Sequence, residues 1–218
     1  MENPYISVLM VNYNQEDLIA QSIECVLNQS YKNIQFIIVD DGSTDSSGDI
    51  IRKYAESDSR IEFYPMEKNM HISYATNYGF SKVKGEYLAR IDSDDLWVFD
   101  KLEKQLAYMK KNPPCQICFT GTDLIDEKGN LINDMENVYF LYRLLNQPNM
   151  SQEEILRYFF AEGNRFTHSS VLMKSAVMQE TGGFHLAYRQ LHDFDYWVRI
   201  AKHYPLFFLE DHLTKLRR

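Results

Sequence analysis

The sequence predicts an α/β domain with a mostly parallel central sheet, helices on both faces and a less regular C-terminal half. Three observations predict it. Short apolar runs rich in β-formers alternate with segments of helical spacing as far as residue 111. Connections of that length between strands imply βαβ units, whose strands run parallel under two helical layers. A chain of 218 residues is also long enough to bury one substantial core.

Taken in order, Tyr5 to Val11 is an apolar run, and Asn12-Tyr13-Asn14 makes a polar turn. A helix follows from about Glu16, with Ile19, Ile23, Val26 and Leu27 at helical spacing. Asn14 with Asp17 three residues on resembles its start. Ile34 to Val39 is a second apolar run, closed by Asp40-Asp41-Gly42-Ser43. Ser43, Thr44 and Asp45 suit an N-cap for a helix running to about Ala55. Ile61 to Tyr64 reads as a third strand, Ile72 to Val83 as a helix, and Glu86 to Ile91 as a fourth strand ending in Asp92-Ser93-Asp94-Asp95. A strongly periodic helix occupies about Phe99 to Lys111.

Beyond that point the pattern loosens. Gln116 to Thr120 and the segment around Leu124 read as strands, with a turn at Glu127-Lys128-Gly129-Asn130. Residues 133–150 show no clear period and read as a mobile loop. Ser151-Gln152-Glu153-Glu154 is a capping box opening a helix. A strand around Val171 to Met173 precedes a helix that ends at Gly182-Gly183, and the last helix begins near Asp193 and stops before Pro205. No internal repeat or low-complexity tract interrupts the chain.

Composition narrows the function classes. A formal net charge of -8 argues against nucleic acid as a main partner, because phosphate backbones select basic surfaces. A small anion remains open if a metal or helix N-termini offset the charge locally. No apolar run has the length of a membrane span, and no basic region followed by an apolar stretch marks a secretory signal. The odd number of cysteines, 3, fits a reducing compartment and so a cytoplasmic location. Cys115 and Cys118 form a C-x-x-C, but they lead into a strand rather than a helix, so they read as buried, inert thiols.

Three features can carry chemistry. Asp92-Ser93-Asp94-Asp95 places three carboxylates in four residues, which repel one another unless a cation neutralises them. Alternate residues at a strand end point the same way, so Asp92 and Asp94 can face one ligand. Such hard donors suit Mg²⁺ or Mn²⁺. On its own the cluster fits a solvated, helix-capping loop equally well. Asp40 and Asp41 share that ambiguity: an acidic turn, or a carboxylate reading a base or ribose while Gly42 allows close backbone approach. Both clusters lie beyond strand ends, where parallel sheets collect ligands. Asp193 opens a helix one turn before Trp197, on the stripe continued by Ile200, Ala201 and Tyr204. It reads either as an N-cap or as a general base at the cleft edge. Asp195 falls off the stripe and reads as a loop support. Trp97, between Leu96 and Val98, reads as core, and His168 reads as a hydrogen-bonded structural histidine with an acceptor-side role as the alternative.

The ordered segments Ser7-Val8, Asn12-Tyr13-Asn14, Ile38 to Asp45, and Lys84-Gly85-Glu86-Tyr87 through Asp92-Ser93-Asp94-Asp95 resemble family 2 inverting nucleotide-sugar glycosyltransferases of the GT-A fold. Gly182-Gly183-Phe184 and Asp193 to Arg199 resemble that family's later segment. The resemblance is close over residues 5–111 and looser over 164–204. It implies one glycosyltransferase domain over residues 1–218, with a nucleotide-sugar-binding half at about 1–111 and an acceptor-side half at 112–218. Val11, Asn12, Tyr13, Asn14, Asp40 and Asp41 would bind the donor, Asp41 at a base expected to be uracil. Asp92 would sit at the ribose or metal, Asp94 would ligate Mn²⁺ or Mg²⁺, and Asp193 would be the catalytic base. The implied reaction moves a sugar from a UDP-sugar to a hydroxyl of a glycan or lipid-linked acceptor, with inversion, in cell-surface glycan synthesis. Peripheral association with the inner membrane face would follow.

Four departures stand out. His71 stands where the family often has Gly, Thr76 where it often has Arg, and His192 where an acidic residue commonly precedes the base. Relatives often supply a further metal-side His near the position of Arg218, so a domain cut short at its C-terminus is expected, with His212 a poor substitute. The rival readings are a nucleotidyltransferase and a nucleotide-sugar-binding module without catalysis. Asn12-Tyr13-Asn14-Gln15 is not the glycine-rich, basic phosphate loop the first requires, and donor turnover would separate the second. No G-x-G-x-x-G follows the first strand, which disfavours a dinucleotide-binding oxidoreductase.

Overall fold

Strand β1 (Ile6–Asn12) is apolar on both faces because both faces are covered. Ile6, Val8 and Met10 pack toward one layer, Leu9 and Val11 toward the other, following the two-residue alternation of a strand. The same alternation holds in β2 (Ile34–Asp40), where Phe36 and Ile38 oppose Ile37 and Val39. These relations come from a computed structural model that describes residues 5–132 and 138–218.

Helices α1 (Ile19–Leu27), α2 (Ser47–Ser57) and α4 (Lys101–Lys111) cover one face, burying Ile19, Ile23, Ile51, Leu102 and Leu106. Helix α3 (Ile72–Phe80) covers the other with α6 (Gln152–Ala161), α7 (Ser175–Thr181) and α8 (His192–Ala201). The remaining strands are β3 (Ile61–Pro65), β4 (Tyr87–Asp92), β5 (Leu96–Trp97), β6 (Ile117–Ile125), β7 (Leu172–Lys174) and β8 (Phe207–Arg217). A short 3-10 turn, His168–Ser170, precedes β7.

The sheet order is β3-β2-β1-β4-β7-β6-β8-β5. Strands β3, β2, β1 and β4 run parallel, and β6 and β8 share that direction because β7 pairs antiparallel with both β4 and β6. The mostly parallel sheet with two helical layers is therefore as expected. Its winding reverses beside β1, since β2 lies on one side and β4 on the other. Such a switch point leaves a crevice beyond the strand ends. Register places the chemistry there: Asn12 pairs with Asp40, and Val11 pairs with Asp92.

The C-terminal half departs from expectation in three places. Residues 117–125 form one strand rather than two. Part of the expected 133–150 loop is helix α5 (Tyr139–Leu145); residues 133–137 of that segment lie outside the described residues. Its apolar residues bury little, with Leu145 the one fully buried side chain, so no amphipathic stripe announced it. Asn146 fixes its end by bracketing the backbone N–H and C=O of Thr122. The 11-residue β8 was not foreseen, because Glu210-Asp211-His212 interrupts its alternation. That stretch loops past β6, where Thr120 pairs with Leu209 but the adjacent Gly121 pairs with His212. The predicted capping box at Ser151 and Glu154 is present, with both reciprocal bonds made. Among the described residues no helix is long and apolar enough to cross a membrane.

Candidate active site

Two adjoining hollows open at the carboxyl ends of β1 and β4. One, of about 590 Å³, is lined by Asn12, Asp41, Asn69 and His71. The other, of about 340 Å³, is lined by Arg90, Asp92, Asp94, His168, His192 and Asp193. Val11, Tyr13 and Ile72 line both, so they form one crevice with the end of β1 as its saddle.

The Asp40 loop is built by hydrogen bonds. Asn12 Nδ2 donates to Asp40 Oδ1 at 2.7 Å, the Ser43 hydroxyl donates to the same oxygen at 2.5 Å, and Ser43 N–H donates to Oδ2 at 3.2 Å. Asn14 closes the loop, its N–H donating to Ser43 Oγ and its Oδ1 accepting from Thr44 N–H. Asp40 and Asn14, both expected at the donor, are thus spent on shaping the loop and lie off the crevice wall. Asp41 faces the crevice, 2 % exposed, and Oδ1 accepts from Met70 N–H at 2.7 Å. Burial raises its pKa, against the lowering effect of that bond.

Gly42 explains why these pieces fit. It has φ 70°, and a Cβ there would stand 2.4 Å from the Lys68 carbonyl carbon. The 68–71 segment therefore closes directly over the acidic loop. His71 takes φ 70° and ψ 155°, a backbone region almost reserved for glycine, which costs on the order of 1–3 kcal/mol. The position where the family often has Gly keeps a glycine conformation while presenting an imidazole to the crevice.

The second acidic loop divides its carboxylates differently. Asp95 turns inward, 1 % exposed, accepting from the Ser169 hydroxyl at 2.5 Å and from Arg217 N–H at 3.0 Å. Burial and then repulsion from Asp92 and Asp94 push its pKa well up. Asp92 Oδ1 accepts from Arg90 Nη2 at 3.2 Å, and Ser169 Oγ accepts from Asp92 N–H. Asp94 is half-buried; desolvation and then the neighbouring Asp92 charge raise its pKa. A divalent cation would relieve that repulsion, so the donor set fits a hard ion. Among the described residues no group of three or more His, Cys, Asp or Glu forms a complete cage. Two carboxylates suit an ion that completes its shell with water and substrate phosphate.

On the far wall, Asp193 Oδ2 accepts from Asn164 Nδ2 at 2.7 Å, and Oδ1 accepts from Phe194 N–H at 2.8 Å. One carboxylate is held by two donors on a helix whose Trp197 and Ile200 are buried. Asp195 accepts from Arg199, which also donates to the carbonyls of Thr181 and Gly183, so it supports the loop before α8. Gly183 lets Asn77 clamp the N–H and C=O of Phe184, since a Cβ would sit 2.4 Å from Asn77 Oδ1. His168 is buried against Phe184 with Nδ1 3.8 Å from Asp92 Oδ2. Burial and then the Arg90 charge hold its pKa well below the usual imidazole range.

Several residues that shape this site escaped the sequence reading: Arg90, Asn164 and Arg217. Arg90 did leave a signal. It is a charge inside the apolar run Tyr87–Ile91, two residues before Asp92 and so on the same strand face. Trp97 is core, its Nε1 donating to Ser169 C=O. Cys115 and Cys118 are free and buried, and contact with Cys118, then desolvation, raises the Cys115 pKa.

A mostly parallel sheet with acidic loops meeting at its switch point defines a GT-A-like architecture. Glycosyl transferase family 2 matches residues 7–178, and the chain belongs to that family. It is 32% identical to an uncharacterized glycosyltransferase of Methanocaldococcus jannaschii, across 100% of this chain and 72% of the relative. Among solved structures it resembles S. aureus TarS 1–349 in complex with UDP, at TM-score 0.76 and 16% identity over 98% of this chain and 60% of that one. It also resembles the mannosyltransferase PcManGT of Pyrobaculum calidifontis, in complex with GDP-Man and Mn²⁺, at TM-score 0.70 and 18% identity. That match covers 98% of this chain and 57% of PcManGT. At such identities the two structures establish a shared fold.

Proposed function

We propose that this glycosyltransferase domain moves a sugar from a nucleoside diphosphate to an acceptor hydroxyl with inversion, using Asp193 as general base. One observation carries the reading: Asp41, the Asp92–Asp94 pair and Asp193 line a single continuous crevice around the end of β1. The nucleoside lies in the larger hollow against Asp41, Asn12 and Tyr13, with Val11 at the saddle. The diphosphate reaches Asp92 and Asp94. Mn²⁺ or Mg²⁺ held by those two carboxylates would act as a Lewis acid on the departing diphosphate.

Asp193 does the proton chemistry. Its carboxylate accepts the proton of the acceptor hydroxyl as that oxygen bonds to the anomeric carbon. The bond from that carbon to the diphosphate oxygen breaks, and its electron pair leaves with the nucleoside diphosphate. Asn164 and Phe194 N–H hold the base in place for this step. The complexes of TarS with UDP and PcManGT with GDP-Man and Mn²⁺ support a nucleotide donor and a divalent ion. A UDP-sugar and a glycan or lipid-linked acceptor at the inner membrane face, in cell-surface glycan synthesis, complete the reading on the family resemblance. The buried free thiols agree with a cytoplasmic setting.

The test is calorimetry with UDP and GDP, with and without Mn²⁺, on wild type and Asp41→Ala. Metal-dependent binding that Asp41→Ala weakens at least tenfold is expected. Binding indifferent to both metal and Asp41 would refute the donor placement.

A further inference from the structure

Arg90 is 3 % exposed, yet two of its three guanidinium nitrogens, Nε and Nη1, have no hydrogen-bond partner. Phe184 lies against the group, its ring centre 5.6 Å from Cζ, and Asp92 takes the third nitrogen at 3.2 Å. Leaving a buried charged donor unsatisfied is costly, and such a group calls for an explanation. The unpaired atoms are not isolated. His168 Nε2 and His192 Nδ1 are likewise buried without partners, and the two rings lie 5.4 Å apart between centroids. All three side chains line the 340 Å³ hollow beside Asp193.

The chemistry of this set is one-sided. Every buried unpaired side-chain atom on that wall is a nitrogen; among the described residues, the buried unpaired oxygens belong to side chains that do not line it. Arg90 can only donate, and each imidazole nitrogen can donate in the appropriate tautomer or when protonated. Of the carboxylates lining the hollow, Asp92 takes one Arg90 nitrogen, and Asp193 is held by Asn164 and Phe194 N–H while keeping lone pairs for the acceptor hydroxyl. A sugar hydroxyl brings its own proton, for which Arg90 offers no acceptor. A carboxylate brings only acceptors, and its bonds to a guanidinium are charge-assisted, roughly twice as strong as neutral ones.

We propose that Arg90, flanked by His168 and His192, forms a subsite for a carboxylate-bearing sugar, so that this domain handles a uronic acid. The inference rests on the donor reading above only for the hollow's place in the reaction. The carboxylate has two possible sources, the transferred sugar and the acceptor, and titrations separate them. The first arm compares UDP-glucuronate and UDP-galacturonate with UDP-glucose and UDP-galactose, and GDP-mannuronate with GDP-mannose, all with Mn²⁺. The second compares methyl uronides with the matching neutral methyl glycosides, with UDP or GDP plus Mn²⁺ present and again with neither.

A uronate in one arm should bind at least tenfold tighter than its neutral partner, and Arg90→Gln should reduce that ratio to about twofold or less. Equal affinity for uronate and neutral partners in both arms overturns the proposal on wild-type protein alone, even if Arg90→Gln fails to fold. A preference that survives in folded Arg90→Gln also overturns it. Failure of the nucleotides themselves to bind would strike the donor placement instead, and the methyl uronides without nucleotide would still decide the carboxylate subsite.

Discussion

The Asp40–Ser43 loop and the Asp92–Asp95 loop follow parallel strands on opposite sides of β1, and each divides its carboxylates between building and facing the crevice. In the first loop the building is local. Asp40 gathers Asn12 and Ser43, and the loop closes on itself with Gly42 beneath the 68–71 segment. In the second it is long-range. Asp95 ties β4 to Ser169 and to Arg217, 122 residues away in sequence. The remaining carboxylates differ as well. Asp41 already accepts a backbone N–H, whereas Asp94 is pressed by its neighbour Asp92 and raised in pKa. One side is thus a hydrogen-bonded pocket around Asp41, and the other holds two crowded carboxylates, Asp92 and Asp94, with Arg90 bonded to Asp92 alone.

The sharpest way to break this division is at the far wall. Asp193→Asn keeps the helix and one of the two hydrogen bonds but removes the base, so turnover should fall by about 10²–10⁴. Steady-state assays with a transferred sugar, beside calorimetry showing nucleotide binding within twofold of wild type, would check it. Turnover close to wild type would remove Asp193 from the mechanism.

Asp94→Ala should come next, weakening Mn²⁺-dependent nucleotide binding at least tenfold while the melting temperature holds. Asp40→Ala should do the reverse. It strands the Asn12 and Ser43 donors, costing about 1–3 kcal/mol in chemical denaturation. If Asp40→Ala proved stable but unable to bind nucleotide, the split between building and facing groups would fail.

How much of this was legible follows the same line. Strands β1, β2 and β4 were readable because both of their faces are buried, so apolar residues dominate each run, with Ser7, Gln35 and Arg90 the polar exceptions before its last residue. Asp41, Asp92 and Asp94 could be singled out because they sit at or just past the ends of β2 and β4, and Asp193 because it opens helix α8. Strand β8 and helix α5 were not, since neither carries a clean period: one has Glu210-Asp211-His212 in its middle, the other leaves Tyr139 and Phe140 exposed. Asn164, Ser169 and Arg217 act through contacts that sequence spacing does not display. Asp40 illustrates the converse. The resemblance assigns both adjacent carboxylates to the donor, Asp41 to the base, whereas Asp41 alone of the two lines the crevice.

A smaller effect concerns Lys101, buried on the opposite face of the sheet with Nζ donating to Gln105 Oε1 and lying 4.2 Å from the Trp97 ring centre. Burial lowers its pKa from 10.5 to about 7. Between those values the unfolded chain binds the extra proton, so stability rises with pH; the cost is absent above the upper value and complete below the lower. Lys101→Met should add about 1–3 kcal/mol at pH 7 and flatten the rise in stability toward pH 10. Urea denaturation at the two pH values would check it. An unchanged slope would show that the ammonium is solvated. His71→Gly should have the smallest effect, gaining about 1 kcal/mol by relieving the positive φ.

The central claim is that one ligand spans both acidic loops. A crystal grown with UDP and Mn²⁺ tests it most directly, through the anomalous signal of the metal. The account predicts the base beside Asp41 and the ion on Asp94, linked by one diphosphate over the end of β1. A nucleotide seated elsewhere, or an ion bound away from that diphosphate, would contradict it.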